Sequence, residues 1–179
     1  MSRRAVLLSL LIVTTVSPVL AGDTIPLAPA ETGVTVRQIE GEDEILVVTV
    51  SEVQLDAIEI EGRRWAVVRV PRAHNSMDYG YPSLPYLPAE YLLGGKDSIE
   101  LELIDSTVRH VDLGSHGYAG VAPSKGHFDR TVDPDSVPWL FDEKAYRSPD
   151  PYPTIDVEVD SPFISGPIRG QALRLPVAR

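Results

Sequence analysis

Hydrophobic and polar residues alternate with a period of two along much of the chain, as they do in strands that bury one face. The clearest example is Ile99, Leu101 and Leu103, which are interleaved with glutamates. The same alternation, or a short β-branched run, recurs at residues 34–39, 45–50, 55–61, 65–70, 86–93, 155–160 and 172–177. No segment has a convincing helical period, and residues 138–145 predict at most one short turn of helix. The pattern predicts an all-β fold, an antiparallel β-sandwich with little or no helix after the N-terminal segment.

One long region interrupts this pattern. Residues 114–153 are rich in Gly, Pro, Asp and Ser and show little alternation. This stretch is longer than an ordinary connection between strands, and loops of that length are usually functional or flexible. We therefore expect one long irregular loop region, and it is the first place where we expect a partner to bind.

The N-terminal 21 residues have the organisation of a secretory signal peptide. A short basic start is followed by an apolar run over residues 5–13 and a small-residue exit, so we expect cleavage after Ala21. The apolar run falls short of the ~20 residues needed to span a bilayer, which argues against a stable membrane anchor. The protein is expected to be extracytoplasmic, either secreted or periplasmic. Residues 22–33 predict a flexible leader, and residues 34–179 a single domain.

The composition limits the partners. The sequence has 26 acidic and 16 basic residues, a formal charge of −10. Removal of Arg3 and Arg4 with the signal peptide would leave 14 basic residues and a charge of −12. Such a surface repels nucleic acid, because phosphate binding needs clustered Lys and Arg. It suits a soluble secreted domain, or one that docks on a basic partner.

Catalytic and metal-binding patterns are missing from the sequence. There is no cysteine, which excludes a thiol nucleophile, a disulfide and a cysteine-containing zinc site. Ser115 precedes His116, but outside the Gly-x-Ser-x-Gly elbow this pair is better explained as a surface loop. The acidic turn at residues 40–44 lacks the alternating ligands of a calcium loop. The histidines lack a metal-binding spacing; they are His74, His110, His116 and His127. We expect no enzymatic activity, no metal and no cofactor.

A proline-rich segment at residues 80–88 (GYPSLPYLP) has three prolines spaced three residues apart. It could be a flexible linker, a polyproline ligand or a rigid crossing within the domain. Predicted strands flank it, and apolar residues such as Leu84 favour burial over the exposure that a polyproline ligand needs. We interpret it as a crossing into a strand, in which Pro88 fits only an edge position or a bulge.

The order of motifs from this segment onward resembles the N-terminal propeptide domain of gingipain-type cysteine peptidases. Gly80, Pro82, Leu84 and Pro85 match the family's Gly-x-Pro-x-Leu-Pro element, and an apolar strand, a glycine turn and a glutamate-alternating strand follow. Tyr81 replaces the usual acid of that element. The apolar-x-Pro step at residues 121–123 and the closing part at residues 146–170 also match, so that the resemblance spans residues 34–177.

The resemblance implies a β-sandwich prodomain that assists the folding of a cysteine peptidase and keeps it latent. In that family a loop carrying a basic residue lies across the active-site cleft without being cut. The candidates here are Lys125 and Arg130, with Arg109 third. Since no peptidase domain follows in this sequence, we expect the partner peptidase to act in trans or to have been lost by truncation. The alternative is an extracytoplasmic adhesion or binding module that uses the same sandwich.

Overall fold

Short strands account for most of the regular structure in the computed structural model, which describes residues 4–8, 23–38, 44–94, 97–153 and 157–179. These ranges contain twelve strands: β1 Arg4–Leu8, β2 Asp23–Pro26, β3 Gly33–Gln38, β4 Glu44–Thr49, β5 Glu52–Ile60, β6 Arg63–Arg69, β7 His74–Asn75, β8 Pro85–Leu92, β9 Glu100–Asp105, β10 Glu158–Val159, β11 Phe163–Ser165 and β12 Ile168–Pro176. The α-helix α1 covers Glu143–Arg147, and short 3-10 turns occur at Gly114–His116 and Pro134–Ser136. Within the described ranges, no helix is long and apolar enough to cross a membrane.

The strands form three sheets. One has the order β3-β4-β1-β9, the second has the order β10-β12-β8-β7 with β11 beside β12, and the third has the order β2-β5-β6. Pairing is antiparallel throughout these sheets except at β1, which runs parallel to both β4 and β9. The predicted all-β class is confirmed, and the helix α1 is only five residues long.

Two hairpins follow directly from the alternation in the sequence. β3 pairs with β4 and places Val34 opposite Val48. Residues 40–43 of the acidic turn between them, for which no calcium site was expected, lie outside the described residues. β5 pairs with β6 through a two-residue turn of Glu61 and Gly62. Both turn residues have positive φ, 51° and 71°. That geometry matches the twist of the two strands it joins.

The main core lies on the inner face of the β12–β8 pair. Leu173, Leu175 and Leu87 are at most 3% exposed, whereas Arg174 and Pro88 on the opposite face are exposed. Full burial of one such aliphatic side chain is worth about 1.5–3 kcal/mol. The other buried members of this cluster are Leu46, Val48, Val50, Val70, Leu93, Ile99 and Val177. A second, smaller cluster consists of Leu55, Ala66, Val68 and Tyr118.

The proline-rich segment forms a buried crossing between strands. Leu84 is 7% exposed and Pro85 less than 2%. Ser83 N donates to Ala122 O at 2.9 Å, so the segment is hydrogen-bonded to the chain that follows β9. Pro88 lies in β8 beyond the two residues that pair with β7, where its missing N–H costs no hydrogen bond on that side.

The N-terminal part differs from the expected flexible leader. Asp23–Pro26 form β2, which pairs antiparallel with β5. Further along, Thr32 is 2% exposed, and its hydroxyl oxygen accepts a hydrogen bond from Ser51 N at 2.9 Å. Alternation could not reveal β2, because four residues give too short a pattern. The expected cleavage site at Ala21 lies outside the described residues, and β1 falls within the expected signal peptide.

Candidate functional site

The long irregular region is built on a short segment that is paired on both sides. Residues 119–124, the base segment, run beside β6, where Ala66 N donates to Gly120 O at 2.9 Å and Ala122 N donates to Ala66 O at 2.7 Å. On the other side Ser124 N donates to Tyr81 O at 2.8 Å. The base segment thus joins the β2-β5-β6 sheet to the proline-rich crossing. The next fifteen residues (125–139), the basic loop, leave from this anchored position.

Lys125 makes contacts within the basic loop that stabilise it. Its Nζ atom donates to Pro134 O at 2.7 Å and lies 4.3 Å from the ring centroid of Trp139. A lysine ammonium at that distance over an indole face is attracted by the ring quadrupole. Both contacts are internal to the loop. Lys125 therefore holds the outgoing and returning limbs together.

Arg130 is the basic residue that the loop presents to solvent. It is exposed and forms no hydrogen bond or ion pair with the described residues. It follows Asp129 in a turn closed by a hydrogen bond of 3.0 Å from Val132 N to Asp129 O. The Asp129 carboxylate also accepts from the backbone N of Thr131 at 2.9 Å and from its hydroxyl at 2.8 Å. These two donors lower the pKa of Asp129 below its ordinary value.

Further contacts fix the two ends of the basic loop. Gly126 has a φ of +70°, and a Cβ atom at that position would lie 3.0 Å from the Cβ of Tyr79. The phenol of Tyr79 donates to Pro138 O at 3.1 Å, at the returning end. Between them, the side chain of Asp133 accepts from Asp135 N at 3.0 Å and caps the Pro134–Ser136 turn. The loop is therefore defined by local hydrogen bonds along much of its length.

An aromatic cluster anchors the chain after the loop. The ring of Trp65 on β6 lies 4.6 Å from that of Phe141 and 5.9 Å from that of Tyr146. The Tyr146 hydroxyl donates to Val121 O at 2.9 Å, and this hydrogen bond connects α1 to the base segment. Asp142 N donates to Gly80 O at 2.9 Å, and the Asp142 side chain caps α1. Burial, with a smaller contribution from Tyr152, raises the pKa of Tyr146 well above its ordinary value.

The three basic candidates occupy two different places. Lys125 and Arg130 belong to the same loop. Arg109 instead lies against β2, where its Nη1 donates to Pro26 O at 2.7 Å. The matched motif residues Gly80, Pro82, Leu84 and Pro85 are all buried in the crossing that supports the base segment.

Other polar residues of the region have structural partners. Ser115 Oγ donates to Asp112 O at 2.7 Å, and His116 Nδ1 lies 3.3 Å from the carboxylate of Asp23, so this serine and histidine make separate contacts. In the part of the chain that is described, no three His, Cys, Asp or Glu side chains are grouped as they would be around a metal ion.

Arg130 was a candidate because of its charge, whereas the residues that fix its turn were not singled out from the sequence. The Asp-x-Thr spacing of Asp129 and Thr131 is a readable turn signal, since Asp side chains accept hydrogen bonds from the backbone two residues on. Trp139 gave no comparable signal, because its contact with Lys125 depends on the path of an irregular loop.

Comparison with known proteins identifies the fold. No family model matches the sequence, and no curated protein does. Among solved structures, the chain is similar to one described as showing the zymogenic latency of gingipain K from Porphyromonas gingivalis. The identity is 19% and the TM-score 0.67, over 87% of this chain and 85% of that one.

It is also similar to a chain in the complex of the Porphyromonas gingivalis RgpB pro- and mature domains. Here the identity is 22% and the TM-score 0.59, over 69% of this chain. The present chain spans 62% of the length of that one. The resemblance to a gingipain propeptide domain predicted from the motifs is thus confirmed at the level of the fold.

Proposed function

We propose that this chain is a propeptide-type domain that binds a gingipain-type cysteine peptidase and keeps it latent, with Arg130 entering the specificity pocket of the peptidase. The observation that carries the proposal is Arg130 itself, exposed on a hydrogen-bonded turn of a domain with this fold. The sequence contains no cysteine, so the thiol nucleophile belongs to the partner.

The turn provides the pre-organisation that an inhibitory segment needs. Ordering a flexible loop on binding costs free energy, and a loop already held in its bound conformation avoids much of that cost. Asp129 and Thr131 fix the backbone on both sides of Arg130 through two hydrogen bonds. An arginine guanidinium can then form a bidentate pair with a buried carboxylate in the pocket. A loop held in this way resists the backbone movement that would bring its peptide bond into position for attack, so that it can bind without being cut.

Lys125 has a different part in this proposal. Its ammonium group is already engaged by Pro134 O and the Trp139 ring. Entry into a peptidase pocket would break both contacts. We therefore assign Lys125 to the support of the basic loop and Arg130 to the contact with the peptidase.

The test is inhibition of a purified gingipain-type peptidase that cleaves after arginine, titrated with the purified domain. Arg130→Ala should raise the inhibition constant at least about thirtyfold, because a desolvated charge pair loses one partner. Arg147→Ala is the matched control, since Arg147 is an exposed arginine outside the loop whose ion pair to Glu143 is on the surface. Lys125→Ala should weaken inhibition less than Arg130→Ala does.

The outcomes separate the site from the function. Equal inhibition by Arg130→Ala and the wild type would refute the assigned site while leaving latency in place. If the wild-type domain inhibits no gingipain-type peptidase, the latency role is excluded, and an adhesion or binding module that leaves peptidase activity unchanged becomes the better explanation. Thermal melts of each variant show whether a loss of inhibition reflects unfolding.

The proposal also requires export. We infer that the protein acts outside the cytoplasm after removal of residues 1–21. N-terminal sequencing of the exported protein should begin at Gly22. A mature form that retains the N-terminal segment would contradict cleavage after Ala21.

A further inference from the structure

A cavity of about 760 Å³ opens on the side of the domain where Arg109 lies. Its walls come from β2, β5, β6, the stretch between β9 and the first 3-10 turn, and the C-terminal residues after β12. Small-molecule sites in proteins have volumes of roughly 300–1,000 Å³ and mostly apolar walls. The apolar wall includes Ile25, Leu55, Val68, Leu113, Val121 and Leu175.

The ionisable side chains in the described wall of this cavity are basic. Arg109, His110 and Arg179 line it, and no Asp or Glu side chain is among the described residues of the wall. This exclusion is notable in a chain with 26 acidic and 16 basic residues. Because opposite charges favour association and like charges oppose it, the cavity suits a ligand with an anionic group.

The guanidinium of Arg109 has hydrogen-bonding capacity that the described residues do not fill. Nη1 donates to Pro26 O, but the buried Nε–H has no acceptor among them. A buried donor without an acceptor is unfavourable, and bonds from guanidinium to carboxylate are among the strongest that proteins form. Arg109 is therefore the basic side chain in the wall with unfilled hydrogen-bonding capacity, and a rotation of its guanidinium toward the cavity would let an anionic ligand fill it.

Some apolar side chains that line the same cavity are exposed to solvent. Leu103 is 36% exposed and Val108 45%, although both line the cavity. Leu103 is also one of the β9 residues that alternation placed in the core. A ligand with an apolar tail would cover these side chains and remove their surface from water.

We propose that this cavity binds a long-chain carboxylate, such as a fatty acid, with its head group at Arg109 and its tail along the apolar wall. The polar and apolar parts of the wall match the two parts of that ligand. The site is separate from the basic loop, and the inference does not depend on the proposed inhibition of a peptidase.

The experiment uses the purified full chain, hexadecanoate as the probe and methyl hexadecanoate as its uncharged counterpart, each measured by displacement of a fluorescent fatty acid. Hexadecanoate should bind at least roughly tenfold more tightly than the ester, since the carboxylate forms a charge-assisted pair with Arg109 whereas the ester carbonyl is a neutral acceptor. Arg109→Gln should remove that difference and leave the affinity for the ester unchanged. Arg63→Gln, an exposed arginine outside the cavity wall, is the matched control.

A second variant tests the tail. Val108→Trp adds bulk at the exposed rim and should weaken both ligands, and circular dichroism establishes that each variant is folded. Failure of hexadecanoate to bind, equal affinity for acid and ester, or an unaltered preference in folded Arg109→Gln would each overturn the proposal. Tighter binding of an apolar octapeptide with a free C-terminus than of hexadecanoate would overturn the ligand class in favour of a peptide.

Discussion

Gly126 connects the base segment to the basic loop through a backbone conformation that other residues adopt only with strain. Its φ is +70°, and an added Cβ would lie 3.0 Å from the Cβ of Tyr79, a tight contact between two atoms with little freedom to move. The start of the loop thus depends on a residue without a side chain.

We predict that Gly126→Ala destabilises the protein by about 1–3 kcal/mol, from positive-φ strain together with the crowding against Tyr79. Urea unfolding measures the change. Gly166→Ala is the matched control, because Gly166 has a φ of +58° but nothing within 4 Å of the added Cβ. If both variants lose the same free energy of unfolding, the contact with Tyr79 contributes nothing.

The helix α1 and the segment before it are held mainly by aromatic contacts. α1 has five residues, too few to be stable alone, and none of them is fully buried, although Tyr146 is partly buried. The Tyr146 hydroxyl reaches Val121 O, and the Tyr146 ring packs edge-on against Trp65. The same Trp65 ring lies 3.1 Å from where a Cβ on Gly120 would be. Tyr146 therefore fastens the chain after the basic loop to the base segment.

This attachment should weaken at alkaline pH. Burial is the main cause that raises the pKa of Tyr146 and of Tyr152 above the ordinary tyrosine value, with Asp78 adding to the shift at Tyr152. Because the folded pKa exceeds the unfolded one, the stabilisation is fully present below pH about 10 and is lost as the pH rises beyond it.

Tyr146→Phe should cost about 0.5–1.5 kcal/mol at pH 8 through the lost hydrogen bond, and its stability should then fall less than the wild type's between pH 8 and 10.5. Urea unfolding at the two pH values gives both quantities. Tyr79→Phe is the matched control, because it removes another hydroxyl that donates to a carbonyl in this region but retains Tyr146 and Tyr152. Its free energy of unfolding should fall between pH 8 and 10.5 as much as that of the wild type. The same pH dependence in Tyr146→Phe and the wild type would contradict the explanation.

The sequence predicted the strands that have a long enough pattern. β3 with β4 and β5 with β6 follow from alternation and from a glycine turn. β7 and β11, with two and three residues, are too short for any periodic signal and are defined by their neighbours in the sheet. Ile99, directly before β9, is buried as the pattern predicts, but Leu103 within β9 borders the cavity and is 36% exposed. Alternation identifies the inner face of a strand, while the extent of its burial depends on what packs over it.

The proposed sites differ in how far local sequence determines them. The turn at Arg130 depends on residues that are adjacent in sequence, so a short sequence motif is enough to predict it. The cavity combines β2, the residues after β9 and the C-terminal residues, which are distant along the chain. Their meeting depends on the register of β2 with β5 and of β12 with β8, which the sequence left undetermined.

Across the whole molecule, the basic loop is attached to the rest of the domain at both ends. Upstream, the base segment is hydrogen-bonded to β6 and to the proline-rich crossing. Downstream, Pro138 accepts from Tyr79, Asp142 N donates to Gly80 O, and Tyr146 donates to Val121 O. Each limb of the loop is therefore bonded to the rest of the domain independently of the residues at the tip.

A single break at the tip should therefore leave the fold intact. We expect a domain cut by a site-specific protease, at a recognition sequence inserted between His127 and Phe128, to elute as one species from a gel-filtration column under native conditions and to separate into two fragments in a denaturing gel. Dissociation of the fragments under native conditions would show that the limbs depend on the continuous loop. The same insertion between Ser165 and Gly166, in the β11–β12 hairpin, provides a comparison at an exposed turn.

For the proposed latency role, the attachment of both limbs predicts that inhibition persists after the loop has been cut. If a peptidase occasionally cuts the chain beside Arg130, the two new ends remain held by separate sets of hydrogen bonds and aromatic contacts. In the proposed complex, such a nicked domain would keep both fragments beside the cleft, and re-formation of the cut bond would compete with their departure. Release would then require a second cut elsewhere or the unfolding of one limb, so that activation depends on more than one event.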